Sequence, residues 1–290
     1  MKRKRAAALT VAVACILGVA VPGTLAGQDL TTWTFTPVDV PGASITYVRG
    51  MTPSGLIVGH YSTGGVMRGF ALKDGVITPI QIDVNTGVRG VNPEGDMVGV
   101  TAGPIAGQRG FLRTRDGVVT EFRYPGATST IPEDINSPGD IVGYYSLGGV
   151  SHGFLLRKGS FTTIEVPGAL WTTVRGINPE GEMVGVYRSL DPDGRERNHG
   201  FLLDIHGRFV TVNGPGALGG NASGINPRGD IVGEFYPTGL TVGFLLSGGV
   251  STPFSYPGAT TTRPWKITPD GQHIVGFYND AHGFVLSRKP

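Results

Sequence analysis

One unit of about 43 residues recurs six times along this chain of 290 residues. The fourth copy shows it most clearly, with Pro-Gly-Ala at 167–169, Gly-Ile-Asn-Pro-Glu-Gly-Glu-Met-Val-Gly at 176–185 and His-Gly-Phe-Leu-Leu at 199–203. The glycine of the Val-Gly phrase returns at steps of 40 to 48 residues, at Gly59, Gly99, Gly143, Gly185, Gly233 and Gly276. Such a period is typical of propeller blades or of helical solenoids.

The interior of each copy favours strands over helices. It is rich in Gly, Thr and Val and contains several turn phrases, and the fourth copy divides into predicted strands at 172–177, 182–187, 199–203 and 209–213. The second of these is apolar almost throughout, as is typical of a strand covered on both faces. The 48 glycines and 21 prolines approach the level seen in disordered chains, but their fixed spacing between apolar runs indicates turns instead.

Two turn phrases bound the strands. Asn178-Pro179-Glu180-Gly181 has the composition of a type I turn, and Pro-Gly-Ala that of a type II turn in which Gly takes a positive φ. In Asn136-Ser137-Pro138-Gly139 the proline has moved one place on, where a type I turn disfavours it. We therefore predict a different turn in the third copy.

The two ends of the chain complement each other. The last copy stops after its third strand, at 282–286, and the segment at 33–42 matches a fourth strand with nothing before it. An open solenoid would carry atypical capping repeats instead of complementary halves. The sequence thus predicts an all-β, six-bladed β-propeller of four-stranded antiparallel blades, closed by the N-terminal strand pairing with the last blade.

Residues 1–26 have the form of a signal peptide, with basic residues at 2–5, an apolar run at 6–21 and small residues before Gly27. We expect cleavage after Ala26, a single domain over 27–290 and a secreted, periplasmic or extracellular location without a membrane span. The alternative is an uncleaved anchor, although 16 apolar residues fall short of a comfortable span. Cys15, the one cysteine, lies in this segment, so disulfides and thiolate metal sites are excluded after cleavage.

The charge of the chain gives no support to nucleic-acid binding. Four of the 24 Lys and Arg residues lie at positions 2–5, which leaves 20 against 22 Asp and Glu, a net charge of −2. We expect no nucleic-acid partner and a monomer.

The repeated phrases resemble those of the HAF-repeat family of predicted extracellular bacterial proteins. Gly-Ile-Asn-Pro-x-Gly-x-Met/Ile-Val-Gly, His-Gly-Phe-Leu-Leu and the Val or Tyr before Pro-Gly-Ala carry the resemblance, which covers about 34–286. The turn at 268–271 also looks like the Ser-Pro-Asp-Gly turn of WD40-like repeats. The resemblance implies secretion and a propeller-like fold, and it transfers no catalytic residue.

Three short motifs are better explained by the repeat than by chemistry. Gly-x-Ser-x-Gly at 149–153 opens a predicted strand, whereas the nucleophile elbow needs a strand-to-helix turn. Gly-x-Gly-x-x-Gly at 214–219 contains the Pro-Gly-Ala turn and precedes no helix. Asp-Pro-Asp-Gly at 191–194 lacks the further ligands of a calcium loop. We predict no catalytic residue, no metal site and no cofactor.

Two positions in the unit carry polar or charged side chains in most copies. The residue before Gly-Phe, the Gly-Phe position, is Arg68, Arg109, His152, His199, Val242 and His282. The equivalent before Gly-Ile, the Gly-Ile position, is Arg49, Arg89, Glu133, Arg175, Ser223 and Trp265. In a propeller, equivalent positions form rings about the axis, and a ring of cations at the channel mouth can bind an anionic or sugar-like ligand.

We take the cations of the Gly-Phe position as candidate ligand-binding residues: Arg68, Arg109, His152, His199 and His282. Trp171, just after Pro-Gly-Ala, joins them because an indole can stack on a sugar. The structural alternative is that these donors tie blade to blade through backbone carbonyls, and that Trp171 packs between blades.

Three functions are compatible with these observations. The first is a non-catalytic binding or interaction module that meets an extracellular ligand or protein through the face carrying the Pro-Gly-Ala loops. The second is a propeller enzyme, a hydrolase or lyase, acting on a glycan or small anion at the channel mouth. The third is a structural repeat without a small ligand. A propeller fold alone does not choose among them.

Overall fold

The computed structural model of this protein describes residues 32–102 and 107–289. Within them the chain forms twenty-four β-strands, arranged as six four-stranded antiparallel sheets. The predicted six-bladed propeller is confirmed. The described residues contain no helix that is long and apolar enough to cross a membrane.

The blades follow the repeat copies. The strands of blades 1 to 3 are β2 (Ile45–Met51), β3 (Ile57–Thr63), β4 (Val66–Lys73), β5 (Val76–Ile80), β6 (Asn85–Val91), β7 (Met97–Ala102), β8 (Arg109–Arg113), β9 (Val119–Phe122), β10 (Ser129–Ile135), β11 (Ile141–Leu147), β12 (Val150–Arg157) and β13 (Ser160–Ile164). Those of blades 4 to 6 are β14 (Trp171–Ile177), β15 (Met183–Leu190), β16 (Glu196–Leu203), β17 (Phe209–Val212), β18 (Gly220–Ile225), β19 (Ile231–Phe235), β20 (Val242–Ser247), β21 (Val250–Phe254), β22 (Thr262–Ile267), β23 (His273–Tyr278), β24 (His282–Arg288) and β1 (Trp33–Val38).

The first strand of every blade lies innermost. Each packs against the first strands of both neighbouring blades, and β22 of blade 6 packs against β2 of blade 1, so the ring is closed. The apolar core lies between blades; Val48 and Phe70 of blade 1, for example, share a cluster with Val275 and Val285 of blade 6. The phenylalanine of every Gly-Phe phrase is fully buried: Phe70, Phe111, Phe154, Phe201, Phe244 and Phe284. A blade therefore cannot cover its apolar faces alone, which explains why the repeats stack.

The N-terminal strand completes the last blade. β1 pairs antiparallel with β24 over its whole length, from Trp33 opposite Arg288 to Val38 opposite Gly283. Trp33 is buried in the cluster between blades 5 and 6. The predicted closure is consistent with this sheet.

The turns define the two faces of the propeller. Ala169 N–H donates to Val166 O at 3.1 Å around Pro167 and Gly168, and Gly168 has a φ of +78°, as a type II turn requires. These turns, which link one blade to the next, lie at the same end as the hairpins between second and third strands. We call this end the Pro-Gly-Ala face.

The Asn-Pro-x-Gly turns lie on the opposite face. Gly181 N–H donates to Asn178 O at 3.1 Å, and the Asn178 side chain accepts from Glu182 N–H at 2.8 Å. The asparagine amide also donates to the carbonyl of the next asparagine, at 3.0 Å from Asn136 to Asn178 and at 3.5 Å from Asn178 to Asn226. These asparagines therefore tie blade to blade through backbone carbonyls, the role that we had considered for the Gly-Phe position.

The prediction of a different turn in the third copy is wrong. Gly139 N–H donates to Asn136 O at 3.0 Å, and the Asn136 side chain accepts from Asp140 N–H at 2.8 Å, as in the other copies. The asparagine closes the turn through its own side chain and carbonyl, so the position of the proline between the two ends does not change the hydrogen bonds.

Candidate functional site: an axial cavity lined by arginines

Each first strand carries one extra residue at the same point. The pairing register of the first and second strands shifts there in all six blades, and the unpaired residue is Arg49, Arg89, Glu133, Arg175, Ser223 or Trp265. A β-bulge of this kind bends the strand and redirects a side chain. These six residues are the Gly-Ile positions, and we call them the axial ring.

The side chains of the axial ring meet at the centre of the propeller. Arg49 and Arg175 belong to blades 1 and 4, on opposite sides of the ring, yet both lie over the indole of Trp265. Their guanidinium carbons are 3.9 Å and 5.0 Å from its ring centroid. Arg89 Nη1 donates to Glu133 Oε1 at 2.8 Å between adjacent blades.

A buried ion pair crosses the axis just beyond the ring. Lys266 Nζ of blade 6 lies 2.7 Å from Asp134 Oδ2 of the opposite blade 3, and it also donates to Arg175 O at 2.5 Å. Asp134 Oδ2 accepts from Ile177 N–H at 3.0 Å. Burial raises the pKa of Asp134 and lowers the pKa of Lys266, and the attraction between the two groups opposes both shifts.

Glycine fills the same position in the other four blades. A Cβ on Gly224 would lie 2.8 Å from Trp265 O, and one on Gly90 would lie 3.0 Å from the Cα of Asp134. The glycines therefore let the strands approach the axis, while Lys266 and Asp134 fill what remains. Beyond the pair, towards the Asn-Pro-x-Gly face, lies a smaller pocket with a volume of about 80 Å³.

On the other side of the ion pair, a cavity of about 490 Å³ opens to the Pro-Gly-Ala face. The side chains in its wall that bear on ligand binding are Arg89, Glu133, Tyr144, Trp171, Arg175 and Trp265. Its rim includes Gly149, in a hairpin on the Pro-Gly-Ala face, and Leu170, which follows a Pro-Gly-Ala turn. Because its rim lies on the Pro-Gly-Ala face, a ligand would enter from there, whereas Lys266 and Asp134 line the smaller pocket towards the opposite face.

Several buried polar atoms at the cavity make no hydrogen bond within the described part of the protein. They are Arg89 Nε, Glu133 Oε2, Arg175 Nη1 and Trp265 Nε1 in the wall, and Arg49 Nε, Arg49 Nη1 and Ser223 Oγ elsewhere in the axial ring. Unpaired buried groups are few in folded proteins because each costs free energy. Their concentration at one point marks the cavity as the candidate site.

The axial ring has more positive than negative charge. Arg49, Arg89 and Arg175 face one carboxylate, that of Glu133, and neither Arg49 nor Arg175 forms a salt bridge within residues 32–102 and 107–289. Burial, and then the nearby charge of Arg89, lower the pKa of Arg49 to about 9, so Arg49 is still a cation at neutral pH. An anion beside these groups would be favoured electrostatically.

Blade 5 has its own carboxylate near the axis, and that group is better paired. Glu234 Oε1 accepts from Arg263 Nη1 at 3.0 Å and from Asn221 Nδ2 at 2.6 Å. Tyr236 donates to the same oxygen at 3.1 Å, and burial together with Glu234 raises the pKa of Tyr236 to about 12. This cluster leaves the positive charge of Arg49 and Arg175 uncompensated.

The candidate residues at the Gly-Phe position lie elsewhere. Arg68, Arg109, His152, His199 and His282 are on third strands, which are separated from the axis by the first and second strands. Four of them have acidic partners: Arg109 with Asp83 at 2.8 Å and Glu121 at 3.2 Å, His152 with Glu165, His199 with Asp191 at 2.8 Å, and His282 with Asp39 at 3.2 Å. Arg68 is paired in register with Tyr61. The structure does not bring these five residues together.

Of the predicted site residues, only Trp171 reaches the axial cavity, where it forms part of the wall. Sequence reasoning placed the axial ring about the axis but did not select it, and it missed Asp134, Lys266 and Tyr144. A signal was present: Asp134 and Lys266 replace the glycine of Gly-Ile in copies three apart, which lie opposite each other in a six-membered ring.

A second groove, of about 600 Å³, lies between blades 4 and 5 on the Pro-Gly-Ala face. Two of its three arginines are neutralised, since Arg188 pairs with Glu196 at 2.9 Å and Arg197 pairs with Asp191 at 2.8 Å and Asp193 at 2.5 Å. We therefore place the candidate site at the axis. No group of three or more His, Cys, Asp or Glu side chains in the described ranges is arranged to hold a metal ion.

Comparison with solved structures shows the fold. Virginiamycin B lyase from Staphylococcus aureus, in a catalytically inactive variant, superposes with a TM-score of 0.55 at 11% identity, covering 88% of this chain and 99% of its own. Regucalcin, a calcium-binding protein from Agrobacterium tumefaciens, gives 0.52 at 14% identity, covering 91% and 95%. A gluconolactonase from Xanthomonas campestris gives 0.51 at 14%, covering 88% and 97%. No protein-family model and no curated protein matches the chain. At these identities the likeness establishes a propeller and no activity.

Proposed function

We propose that this protein is a binding module that holds a small anionic ligand in the axial cavity. The observation that carries the proposal is that two arginines of the axial ring, the buried Arg49 and the partly buried Arg175, have no carboxylate partner among the described residues, and Arg175 lines a cavity of about 490 Å³. Burying an uncompensated charge is costly, and an anion that accepts hydrogen bonds from an arginine removes part of that cost. The cavity volume lies in the range of small-molecule sites.

The ligand would reach the arginines from the Pro-Gly-Ala face. The rim of the cavity includes Gly149 and Leu170 on that face, whereas the Lys266–Asp134 ion pair crosses the axis on the other side and lines the smaller pocket there. This supports the expectation from the sequence that function lies on the Pro-Gly-Ala face, although through the axial ring in place of the Gly-Phe positions.

Calorimetric titration and a thermal-shift measurement with citrate and phosphate, against chloride at equal ionic strength, test the proposal. We expect one or both anions to raise the melting temperature as RT ln(1 + [L]/Kd) predicts. Arg175→Met should weaken binding at least about tenfold, because a charge-assisted hydrogen bond is lost. The control is Arg115→Met, which removes an equal charge from a side chain that is 70% exposed and far from the cavity. An equal response in Arg175→Met and Arg115→Met would exclude the axial site.

We further propose that the protein acts outside the cytoplasm, on the basis of the basic and apolar segment at 1–26, which lies outside the described residues. Mass spectrometry of the protein recovered from a bacterial host expressing the full chain should give a mature N-terminus at Gly27. Retention of residues 1–26 in protein from the cytoplasmic fraction would contradict this location, whereas retention in the membrane fraction would indicate the uncleaved anchor.

A second candidate function is an enzyme acting on an anionic substrate, and one observation favours it. Glu133 is 3% exposed and lines the cavity, and its Oε2, which has no hydrogen-bond partner among the described residues, could accept a proton from a bound substrate. Slow turnover of a bound anion that is abolished in Glu133→Gln, while binding persists, would establish catalysis.

A further inference from the structure

Among the described residues, the cavity wall offers one unpaired acceptor as well as three unpaired donors. Arg89 Nε, Arg175 Nη1 and Trp265 Nε1 are donors, whereas Glu133 Oε2 is a buried carboxylate oxygen that can only accept. An anion alone satisfies the donors, but its charge would repel Glu133. The ligand must therefore present a hydrogen-bond donor to Glu133 and negative charge to Arg175.

The donor that faces Glu133 is better a hydroxyl than an ammonium group. Arg89 already neutralises Glu133 at 2.8 Å, and Arg49 and Arg175 add uncompensated positive charge nearby. An ammonium group would add another cation to this cluster, which costs electrostatic energy. A hydroxyl donates to Glu133 Oε2 without changing the charge.

Other groups in the wall suit a polyhydroxylated molecule. Burial and the adjacent Glu133 raise the pKa of Tyr144, so its hydroxyl stays protonated and can both donate and accept. Thr173 and Ser151 bring further hydroxyls to the wall, and Trp171 brings a partly exposed indole that can cover the apolar face of a sugar ring.

We propose, building on the proposed function, that the ligand is an acidic sugar: a molecule with one carboxylate and several hydroxyls. Its carboxylate lies against Arg175 and Trp265 Nε1, a hydroxyl donates to Glu133 Oε2, and its ring or chain packs against Trp171. The unpaired Glu133 oxygen beside the unpaired arginine nitrogens carries this assignment.

The test compares six-carbon probes by calorimetric titration of the purified protein. D-Glucuronate has the acid and the hydroxyls, hexanoate has the acid alone, D-glucose has the hydroxyls alone, and norleucine has the acid with an ammonium group. We expect glucuronate to bind at least about tenfold more tightly than each of the other three.

The variant Glu133→Gln tests whether Glu133 accepts a hydrogen bond from a hydroxyl of the ligand. Since it removes a negative charge, hexanoate should bind as well as before or better, while the ratio of glucuronate to hexanoate affinity should fall about tenfold. Glu165→Gln, in the same blade but paired with His152 outside the cavity, is the matched control and should leave the ratio unchanged. If Glu133→Gln fails to fold, Trp171→Leu at the rim gives the second measurement, with a fall in glucuronate affinity and no fall in hexanoate affinity.

The outcomes separate this inference from the proposed function. Equal binding of glucuronate and hexanoate would overturn the acidic sugar and leave an anion site. Tighter binding of norleucine, or of phosphate, than of glucuronate would also overturn it. Binding of no acid, with no response to citrate or phosphate, would overturn both.

Discussion

The axial ring and the Gly-Phe positions both recur once per blade, but they differ in whether their basic side chains have acidic partners. Arg109, His152, His199 and His282 each have an acidic partner in or next to their own blade. In the axial ring Glu133 pairs with Arg89, and within the described residues neither Arg49 nor Arg175 forms a salt bridge. A cation that brings its own partner in each copy serves the blade, whereas a buried cation without one points to a ligand.

The largest expected effect concerns the buried ion pair between Lys266 and Asp134 at the axis. Lys266→Met should reduce the free energy of unfolding by about 3–5 kcal/mol, because it leaves the buried Asp134 carboxylate without its cation. Urea denaturation measures the change. The double variant Lys266→Met with Asp134→Leu should recover most of the loss, and a single-variant loss below about 1 kcal/mol would contradict the buried pair.

Blade 1 has an arginine at each of the two positions, Arg49 in the axial ring and Arg68 at the Gly-Phe position, so the two can be compared within one blade. Arg49→Met in the axial ring should weaken citrate or glucuronate binding at least about tenfold, since a buried positive charge is removed from against Trp265, which lines the cavity. Arg68→Met, on the third strand of the same blade, should leave the affinity unchanged. Calorimetric titration of both variants measures the affinity. An equal loss of affinity in the two variants would show that the axial ring is no more important for binding than the Gly-Phe position.

Loss of a cation at the Gly-Phe position should have a small effect on stability. Arg109 pairs with Asp83 and Glu121 at the surface, so Arg109→Met should lower the melting temperature only slightly and should not change anion affinity. Thermal denaturation with and without citrate measures both quantities. A loss of citrate binding in this variant would indicate that the anion binds at the Gly-Phe positions and not in the axial cavity.

The smallest effect is a local dependence on pH in the hairpin of blade 4. Hydrogen bonds from Arg197 lower the pKa of Asp193 to about 2 from its usual 3.8. The folded hairpin therefore gains stability from this carboxylate above about pH 4 and loses it as the pH falls towards 2. The protection factors of the amides at residues 191–197, which are corrected for the intrinsic pH dependence of exchange, should fall over that window, and Asp193→Asn should reduce the fall.

The fold was accessible from the sequence because each copy carries its own turn chemistry. Gly168 must take a positive φ, Asn178 closes its turn with its own side chain, and the last copy lacks a strand that residues 33–38 supply. The third-copy turn was predicted wrongly, because the proline was given more weight than Asn136, which supplies the closing hydrogen bonds.

The site was harder to predict from the sequence than the fold, because one extra residue in each first strand determines which side chains point to the axis. Alternation along a strand does not reveal the bulge at Arg49 or Arg175, yet the bulge turns those side chains to the axis. The pairing of Lys266 with Asp134 depends on the geometry of a ring, in which copies three apart lie opposite each other. Trp171 was selected for its chemistry, and it does line the cavity.

The pairing of β1 with β24 has a consequence for the order of events in biosynthesis. The strand that emerges first from the ribosome finds its partner only when the last strand has been made. Until then β1 and the unfinished blade 6 both present unpaired backbone edges, which are prone to pair with other chains. Ring closure is thus the most non-local step of folding, and contacts between such distant segments form slowly. A chain released before residue 282 has no route to the closed ring, however well its first five blades have formed.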